Sequence, residues 1–230
     1  METLLIMNKL EDFKLFFELF RNSKKEGIED IHTLRIKSRE LLSLSDSNDL
    51  FYKQLKKVIK VSNKIRDIDV FIEFYCASLP KKYKKKLDLQ IIINSENIQR
   101  EKQVKKLHFY LNSLVLPNKI KMKTQESMEH IKKLKKSKLN KQELHKYRIF
   151  IKTRLYNEKN SSSANLKRVK RLKKMKDILG TINDNMNGIK KLSAYDIKLT
   201  LLKKIKKSTK KQNMKLFRKF KILDKKEKAL

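Results

Sequence analysis

Glycine and proline are scarce in this sequence, with 3 Gly and 2 Pro among 230 residues. Average usage is about 7% for Gly and about 5% for Pro. β-Sandwiches, barrels and Rossmann-type domains need these residues at their many turns. Long helices with few connections do not, and no segment fits a strand alternation better than a helical template. The sequence therefore predicts an all-α protein.

Cysteine and long apolar runs are also scarce. Cys76 is the single cysteine, so an intramolecular disulfide and a thiolate metal cluster are excluded, and we expect a small buried hydrophobe. No apolar run approaches the roughly 18 residues that a membrane span needs. The first residues carry no basic segment and soon reach Glu11 and Asp12, unlike a secretory signal. We expect a cytoplasmic protein with no transmembrane segment.

Acidic residues are few beside basic ones. Lys and Arg number 60 and Asp and Glu number 25, which gives a formal net charge of +35. A compact domain with this charge repels itself unless anions are bound to it. The balance predicts a polyanionic partner, which is a nucleic acid, an anionic membrane or a polyphosphate. It argues against an ordinary small-molecule enzyme.

Apolar residues recur at three- and four-residue steps along most of the chain, a pattern that predicts eight helices. We expect a kink near Ser62–Asn63, a break or kink at Gly180 and a polar loop over 157–163. The Lys-rich stretch 203–226 is either an amphipathic helix or a partly disordered basic tail. The predicted helices cover 2–20, 28–45, 49–78, 80–114, 118–136, 139–158, 164–192 and 194–224.

A short motif occurs twice in the chain. In 31–39 and again in 144–152, a His is followed by a basic residue at +3, an Ile at +4 and a basic residue at +7. Downstream, Lys56 matches Lys173, and ten residues later Arg66-Asp67 matches Asn183-Asp184. The repeat predicts one domain made of two homologous four-helix halves, 1–116 and 117–230, related by a pseudo-twofold axis. Their motif helices are expected to face one shared basic groove.

On an α-helix the repeated basic residues form one narrow stripe. His32, Arg35 and Arg39 lie within about 60° of one another around the helix axis. His145, Arg148 and Lys152 repeat this arrangement. Apolar residues border each stripe on one side, and Ile36 or Ile149 borders it on the other. We therefore expect the stripe to be the floor of a groove between packed helices, where partly desolvated cations hold an anion more strongly.

The usual catalytic and cofactor motifs do not occur in the sequence. It has no His pair with metal spacing, no Ser, Cys or His triad and no glycine-rich phosphate loop. His108 and His130 lack the motif context. Asp67, Asp69 and Asp184 are expected to pair with bases or cap helices rather than bind a metal. We therefore predict no enzymatic activity and no cofactor.

The ordered set of motifs resembles the CHAD domain, the conserved histidine α-helical domain. Each motif is short, but together they span about 31–192. The segments that carry the resemblance are Ile31-His32-Thr33-Leu34-Arg35, Lys64-Ile65-Arg66-Asp67-Ile68-Asp69-Val70, Leu144-His145-Lys146-Tyr147-Arg148-Ile149 with Lys152 and Tyr156, and Leu179-Gly180-Thr181-Ile182-Asn183-Asp184.

The resemblance implies two four-helix bundles of long helices around a basic central cavity, binding of inorganic polyphosphate and association with polyphosphate granules. It implies no catalytic activity. The sequence departs from the family pattern where Asn183 replaces the Arg of the first half, and Arg154 could serve for a further family Arg from a neighbouring position. Carried over by position, the anion ligands would be His32, Arg35, Arg39, Lys56, Arg66, His145, Arg148, Lys152 and Lys173.

Three other functions fit part of the sequence. Nonspecific nucleic-acid binding fits the charge, although Trp is absent and no DNA- or RNA-binding motif is present. An enzyme of phosphate metabolism would need a carboxylate cluster for Mg²⁺ near the stripe, where Asp and Glu are too few. A membrane-surface protein would bind through residues 203–226. The oligomeric state is left open.

Overall fold

The computed structural model describes residues 2–23, 26–46, 48–119, 141–160 and 165–228. Within these ranges the regular elements are all helices, which confirms the all-α prediction. The predicted helix 118–136 falls almost wholly outside the described residues, as does His130. The helices are α1 (Glu2–Ser23), α2 (Ile28–Leu44), α3 (Leu50–Val70) continued by a π-helical turn (Phe71–Cys76), α4 (Lys81–Lys84), α5 (Leu89–Asn112), α6 (Lys141–Asn160), α7 (Leu166–Leu192) and α8 (Leu199–Lys228).

The described helices group into two compact units. The first unit contains α1, α2, α3 as far as Phe74, and α5. The second contains the segment Tyr75–Leu87, which includes α4, together with α6, α7 and α8. Within the first unit α2 packs on α1 and α3, and α3 packs on α5; within the second, α7 packs on α6 and α8. These limits differ from the predicted halves 1–116 and 117–230, since Tyr75–Leu87 packs with the second unit.

Aromatic side chains fill the core of the first unit. Phe13 and Phe17 lie one helical turn apart on α1, and their rings stack with centroids 6.0 Å apart. Phe51 on α3 meets the Phe13 ring edge to face at 6.5 Å. Leu34 and Ile65, both fully buried, bring α2 and α3 into the same cluster. Burying each of these side chains contributes roughly 1.5–3 kcal/mol, which is why the amphipathic pattern produces packed helices here.

The core of the second unit is apolar but contains more polar contacts. The Tyr147 ring on α6 packs edge to face on Phe220 of α8 at 5.5 Å, and its hydroxyl donates to Asp224 Oδ1 at 2.5 Å. Burial, and then the hydrogen bond to Asp224, raise the pKa of Tyr147. Asn185 on α7 donates to Asn213 on α8 at 2.8 Å, with both side chains buried. These bonds satisfy buried polar groups and fix the register of α8 against its neighbours.

The irregular part of α3 is not where the sequence predicted it. Ser62 and Asn63 lie in regular α-helix, and the Ser62 hydroxyl donates to the carbonyl of Ile59 at 3.1 Å. The wider π-helical turn lies at Phe71–Cys76. Such a turn inserts a residue and shifts the buried face of the helix. Phe71, Tyr75 and Cys76 are all buried there, which confirms the expectation for Cys76.

The predicted helix 80–114 is interrupted. A single turn, Lys81–Lys84, is followed by a break, and α5 begins after Asp88, whose carboxylate accepts a hydrogen bond from the Ile91 amide at 3.3 Å. An Asp cap starts a helix because it satisfies an otherwise unpaired amide. Ile91 and Ile98 on α5 are exposed. The single helix predicted over 80–114 is thus two helices, the short α4 and the long α5.

Other predicted boundaries are corrected by five residues or fewer. α6 continues through 157–160, where a loop was predicted, and α8 begins at Leu199 rather than at 194. α7 passes through Gly180 without a break. The Lys-rich stretch 203–226 is helical throughout, which decides between the two readings of it. None of the helices in the described part of the chain is long and apolar enough to cross a membrane.

Candidate anion-binding site

In the first unit, two arginines of the basic stripe contact the same side chain of α3. Arg35 and Arg39, one turn apart on α2, both donate to Asn63 Oδ1, at 3.3 and 2.9 Å. His32 lies beside them, with its Nδ1 3.4 Å from an Arg35 nitrogen. The arrangement follows from the packing of α2 on α3, which places the stripe opposite Asn63. Three of the predicted residues are thus brought together, with two guanidinium groups on one neutral acceptor.

His32 lies in a region of positive potential. Burial lowers the pKa of His32 below its usual 6.5, and the charges of Arg35, Arg66 and Arg39 lower it further, while Glu29 opposes them. Each of these cations must therefore lie close enough to the ring to disfavour its protonated form. The charge of Arg66 therefore acts on the same ring as the charges of the stripe. An anion bound here would relieve that field.

Arg66 and Lys56 lie at the edges of this cluster. The Arg66 guanidinium lies over the Phe74 ring, 5.5 Å from its centre. Lys56 is exposed, and its amine lies 5.9 Å from the Tyr52 ring. Lys56 is two turns before Asn63 on α3, on the same face of the helix. It can extend the basic surface along α3, but no contact joins it to the arginines.

The equivalent stripe of the second unit has one exposed residue and two partly buried ones. His145 on α6 is exposed, whereas Arg148 and Lys152 are partly buried. The Nε atom of Arg148 is buried and has no hydrogen-bond partner among the residues that the structure describes. A buried guanidinium N–H without an acceptor is costly unless a ligand or water satisfies it. Arg148 is therefore the residue of this stripe whose environment is most suited to an incoming anion.

The reason for the difference lies on α7. The register that matches Lys56 with Lys173 and Arg66 with Asn183 also matches Asn63 with Gly180. Gly180 is buried against the Arg148 guanidinium, and a Cβ built on it would lie 3.6 Å from the nearest Arg148 nitrogen. The second unit thus has no side chain where the first has the amide that gathers its arginines.

Two further positions on α7 match Lys56 and Arg66 of the first unit, and one of them carries a cation. Lys173 is exposed. Asn183, in place of the Arg of the first half, has its amide nitrogen 3.5 Å from Asp184 Oδ1. The first unit therefore concentrates more fixed positive charge around its stripe than the second.

The expected apolar border on both sides of each stripe is wrong on one side. Ile31 and Leu34 are buried, as are Leu144 and Tyr147 in the second unit. Ile36 is 43% exposed and Ile149 is 47% exposed. The stripes are therefore open along the edge that carries these isoleucines. The packed helices cover one side only, which makes each stripe accessible to a large ligand.

Arg154 does not take the place of a family ligand, because it is engaged elsewhere. Its guanidinium pairs with the carboxylate of Glu227 near the end of α8, at 3.3 Å. Arg168 and Arg171 on α7 approach the same carboxylate at 2.8 and 3.5 Å. Glu227 is almost fully buried, and its hydrogen bond raises the pKa of Arg168. This cluster, which we call the Glu227 cluster, fastens α8 to α6 and α7 rather than serving an external anion.

Asp69 pairs with a base, as expected. Its buried carboxylate accepts a hydrogen bond from Arg100 Nε at 2.7 Å, and Arg100 also donates to the Glu26 carbonyl at 2.7 Å. Among the residues with described positions, no group of three or more His, Cys, Asp or Glu side chains could hold a metal ion. The Asp69–Arg100 pair therefore joins α3 to α5.

Sequence reasoning missed the residues that contact the stripes from the neighbouring helices, because it considered only the charged residues and the histidines. Asn63 and Gly180 are visible only once α3 and α7 are aligned in the register of the repeat. Comparison of the chain with models of protein families, with curated proteins and with solved structures found no match. The geometry and chemistry of the two stripes are therefore the basis for assigning a function.

Proposed function

We propose that this protein binds inorganic polyphosphate through the two basic stripes. The observation that carries the proposal is the convergence of Arg35 and Arg39 on Asn63 beside His32. The amide oxygen that orients these guanidinium groups carries no charge of its own. Guanidinium groups bind phosphate oxygens through two parallel hydrogen bonds.

The composition supports polyphosphate over a ligand that carries bases. Polyphosphate is a flexible chain of charged groups without rings or base edges, so a binding protein needs a row of cations rather than specific readout. Lys suits such a chain as a point charge that can donate in several directions, and the chain has many of them. No Trp is present for base stacking.

The proposal includes the family resemblance and its consequences. In this proposal the chain is a CHAD-like domain, both stripes line one basic groove, and the protein is found at polyphosphate granules in the cytoplasm. Its role is binding, without catalysis. A single long polyphosphate chain would then engage both stripes and gain affinity from the link between the two binding events.

The main test is competitive binding of labelled long-chain polyphosphate at near-physiological salt, because charge alone causes nonspecific binding at low salt. Competitors are single-stranded RNA, double-stranded DNA and heparin, at equal charge. The test variant is Arg35→Gln/Arg148→Gln. The control is Lys102→Gln/Lys105→Gln, which removes the same charge from the exposed face of α5.

We expect the arginine variant to lose about tenfold in affinity for polyphosphate, since it removes one oriented guanidinium from each stripe. The lysine control should lose no more than about threefold, as expected for diffuse charge. Equal competition by every polyanion, with equal losses in both variants, would contradict the proposal. It would favour the alternative of nonspecific nucleic-acid binding.

The shared groove has its own test in the same assay. Single variants Arg35→Gln and Arg148→Gln are compared with the double variant on long and on short polyphosphate. If one long chain engages both stripes, each single loss is larger with the long chain than with the short one. Equal losses at both lengths would indicate two independent sites.

A further inference from the structure

A second basic surface lies in the second unit, away from the stripe residues. The structure contains an open cleft of about 640 Å³, a size that accommodates a small ligand. One wall comes from the segment Tyr75–Leu87 and the other from the start of α8. The cleft is lined by Lys82, Tyr83, Lys86, Lys198, Thr200, Leu201 and Lys204.

The two walls are held at a fixed distance by the packing behind them. The Tyr75 ring lies directly on Gly188 of α7, so close that a Cβ there would be 2.2 Å from the ring. Tyr75 and Thr209 of α8 line the same narrow space, and burial raises the pKa of the Tyr75 hydroxyl to about 12. Leu79 and Leu87 are buried at either end of α4. The lysines of the cleft therefore project from a docked segment rather than from a loose loop.

The tight packing ends at Tyr83. Behind this side chain, the space between the segment and α8 shrinks to about 10 Å³, which is room for one water molecule at most. In front of it the walls separate into the cleft. Tyr83 is half-buried and lines both spaces. It thus forms the floor of the cleft and presents an aromatic surface to a ligand.

The charge in the cleft is of one sign. Four lysines line it, and no carboxylate does. Within the described ranges, none of these lysines forms an ion pair. Lys82 is 5.2 Å from the centre of the Tyr83 ring, which draws its amine toward the cleft floor. Four cations around one small space repel one another, and a multivalent anion would relieve that repulsion.

We infer that this cleft binds a compact ligand with three linked phosphate groups, either inorganic tripolyphosphate or the triphosphate of a nucleotide. Linked phosphates can contact lysines on both walls at once, whereas a single phosphate reaches fewer of them. The Thr200 hydroxyl adds a donor beside Lys198 and Lys204. This site requires neither stripe and no long polyphosphate chain, so it stands apart from the proposed function.

A site-specific reporter can test the inference, because the chain contains no Trp. Tyr83→Trp places one indole on the cleft floor, and Phe109→Trp places one on the exposed face of α5 as a control. Each variant is titrated with tripolyphosphate, ATP and orthophosphate at near-physiological salt. We expect a saturable fluorescence change with the first two ligands for Tyr83→Trp and none for Phe109→Trp. An equal response of both variants, or tight binding of orthophosphate, would overturn the inference.

Charge variants provide the second readout, by calorimetry on the chain without added Trp. Lys86→Gln/Lys204→Gln should weaken tripolyphosphate binding about tenfold, because it removes one cation from each wall. Lys102→Gln/Lys105→Gln should weaken it less than about threefold, and Arg35→Gln/Arg148→Gln should leave the cleft affinity intact. Equal loss in the two lysine variants would show diffuse charge only and refute the cleft. A loss of affinity in the arginine variant alone would show that tripolyphosphate binds at the stripes and would refute the cleft.

The two sources of a triphosphate are distinguished in the same titrations. Equal affinity for ATP and tripolyphosphate supports recognition of the phosphates alone. Tighter binding of ATP, reduced by Tyr83→Leu, supports a nucleotide whose base lies against the Tyr83 ring.

Discussion

The two units carry the same basic motif on different supports. In the first, Asn63 accepts hydrogen bonds from Arg35 and Arg39 and holds their guanidinium groups together. In the second, Gly180 occupies the matching position and offers Arg148 no side chain. The comparison shows that the two copies of the motif share the charges of the site but not the orientation of the charged groups. Orientation depends on the side chain that the neighbouring helix supplies.

The two units also differ in the contacts that stabilise their cores. Stacked phenylalanines fill the first unit. The second relies more on polar contacts: the Glu227 cluster, the bond from Tyr147 to Asp224, and the Asn185–Asn213 pair. Polar contacts of this kind depend on charge and geometry, so single substitutions in them should lower the stability of the second unit.

The largest effect is expected at Glu227. Glu227→Gln keeps the shape of the side chain but leaves three arginines without their shared carboxylate. We expect the free energy of unfolding to fall by about 3 kcal/mol, the lower part of the range for a broken buried ion pair, because the arginines are partly exposed. Urea denaturation followed by circular dichroism measures it.

Glu158→Gln is the matched control for this loss. Within the described residues Glu158 forms one ion pair, with Arg168 at 3.0 Å, so a loss of about 1 kcal/mol is expected. A loss at Glu227 no larger than at Glu158 would mean that the cluster does not fasten α8.

Two glycines of α7 should respond to alanine in opposite directions. Gly188→Ala pushes a methyl group into the Tyr75 ring, and we expect a loss of about 2 kcal/mol. At Gly180 the new Cβ makes only ordinary contact with Arg148, so the helix propensity of Ala should add about 0.5–1 kcal/mol. Thermal unfolding of the two variants measures the contrast. Destabilisation by both would show that Arg148 has no room to adjust.

Exchanging the residues at positions 63 and 180, which face the two stripes, tests the difference between the stripes. Asn63→Ala should weaken polyphosphate binding about threefold, because Arg35 and Arg39 lose their common acceptor and must be ordered by the ligand. Gly180→Asn should strengthen it by a similar factor, since it offers Arg148 an amide oxygen. Titration with polyphosphate measures both, and unfolding midpoints control for stability. Tighter binding by Asn63→Ala would instead make Asn63 a competitor of the ligand.

The smallest expected effect is a pH dependence that originates in the first unit. Burial and then Arg35 lower the pKa of His32, so the ring is uncharged at neutral pH in the free protein. Bound phosphates favour the charged ring, so binding takes up a proton and affinity should rise about twofold to threefold as pH falls from about 8 to about 5.5. His32→Gln should flatten this rise. A profile that is unchanged in His32→Gln would place the dependence elsewhere.

The lowered pKa of His32 also makes the stability of the folded protein depend on pH. Since the folded-state pKa of His32 lies below the usual 6.5, the unfolded chain binds the proton first as pH falls. The contribution of His32 to stability is therefore full above pH 6.5 and is lost as pH decreases toward the lowered value. Unfolding of the ligand-free protein over this window, compared with His32→Gln, measures the loss.

The periodicity of apolar residues was sufficient to predict helices across most of the described chain, because helix formation here follows from burying one face of each segment. α2 and α7 begin and end close to the predicted residues. The errors lie where local chemistry interrupts a continuous pattern. Asp88 caps a new helix inside the predicted 80–114, and the π-helical turn follows from side chains that must be buried at Phe71, Tyr75 and Cys76.

For the candidate site, the sequence identified the charged residues but not their surroundings. A helical stripe of His32, Arg35 and Arg39 follows from spacing alone, since 100° per residue sets the angles. The Asn63 acceptor, the open edge at Ile36 and the engagement of Arg154 by Glu227 depend on partners 24 to 73 residues away or on the packing of other helices. Such contacts arise from the tertiary packing of helix faces, which short-range periodicity does not specify. Charge and helical spacing are properties of the chain, whereas the orientation of each cation is a property of the packed fold.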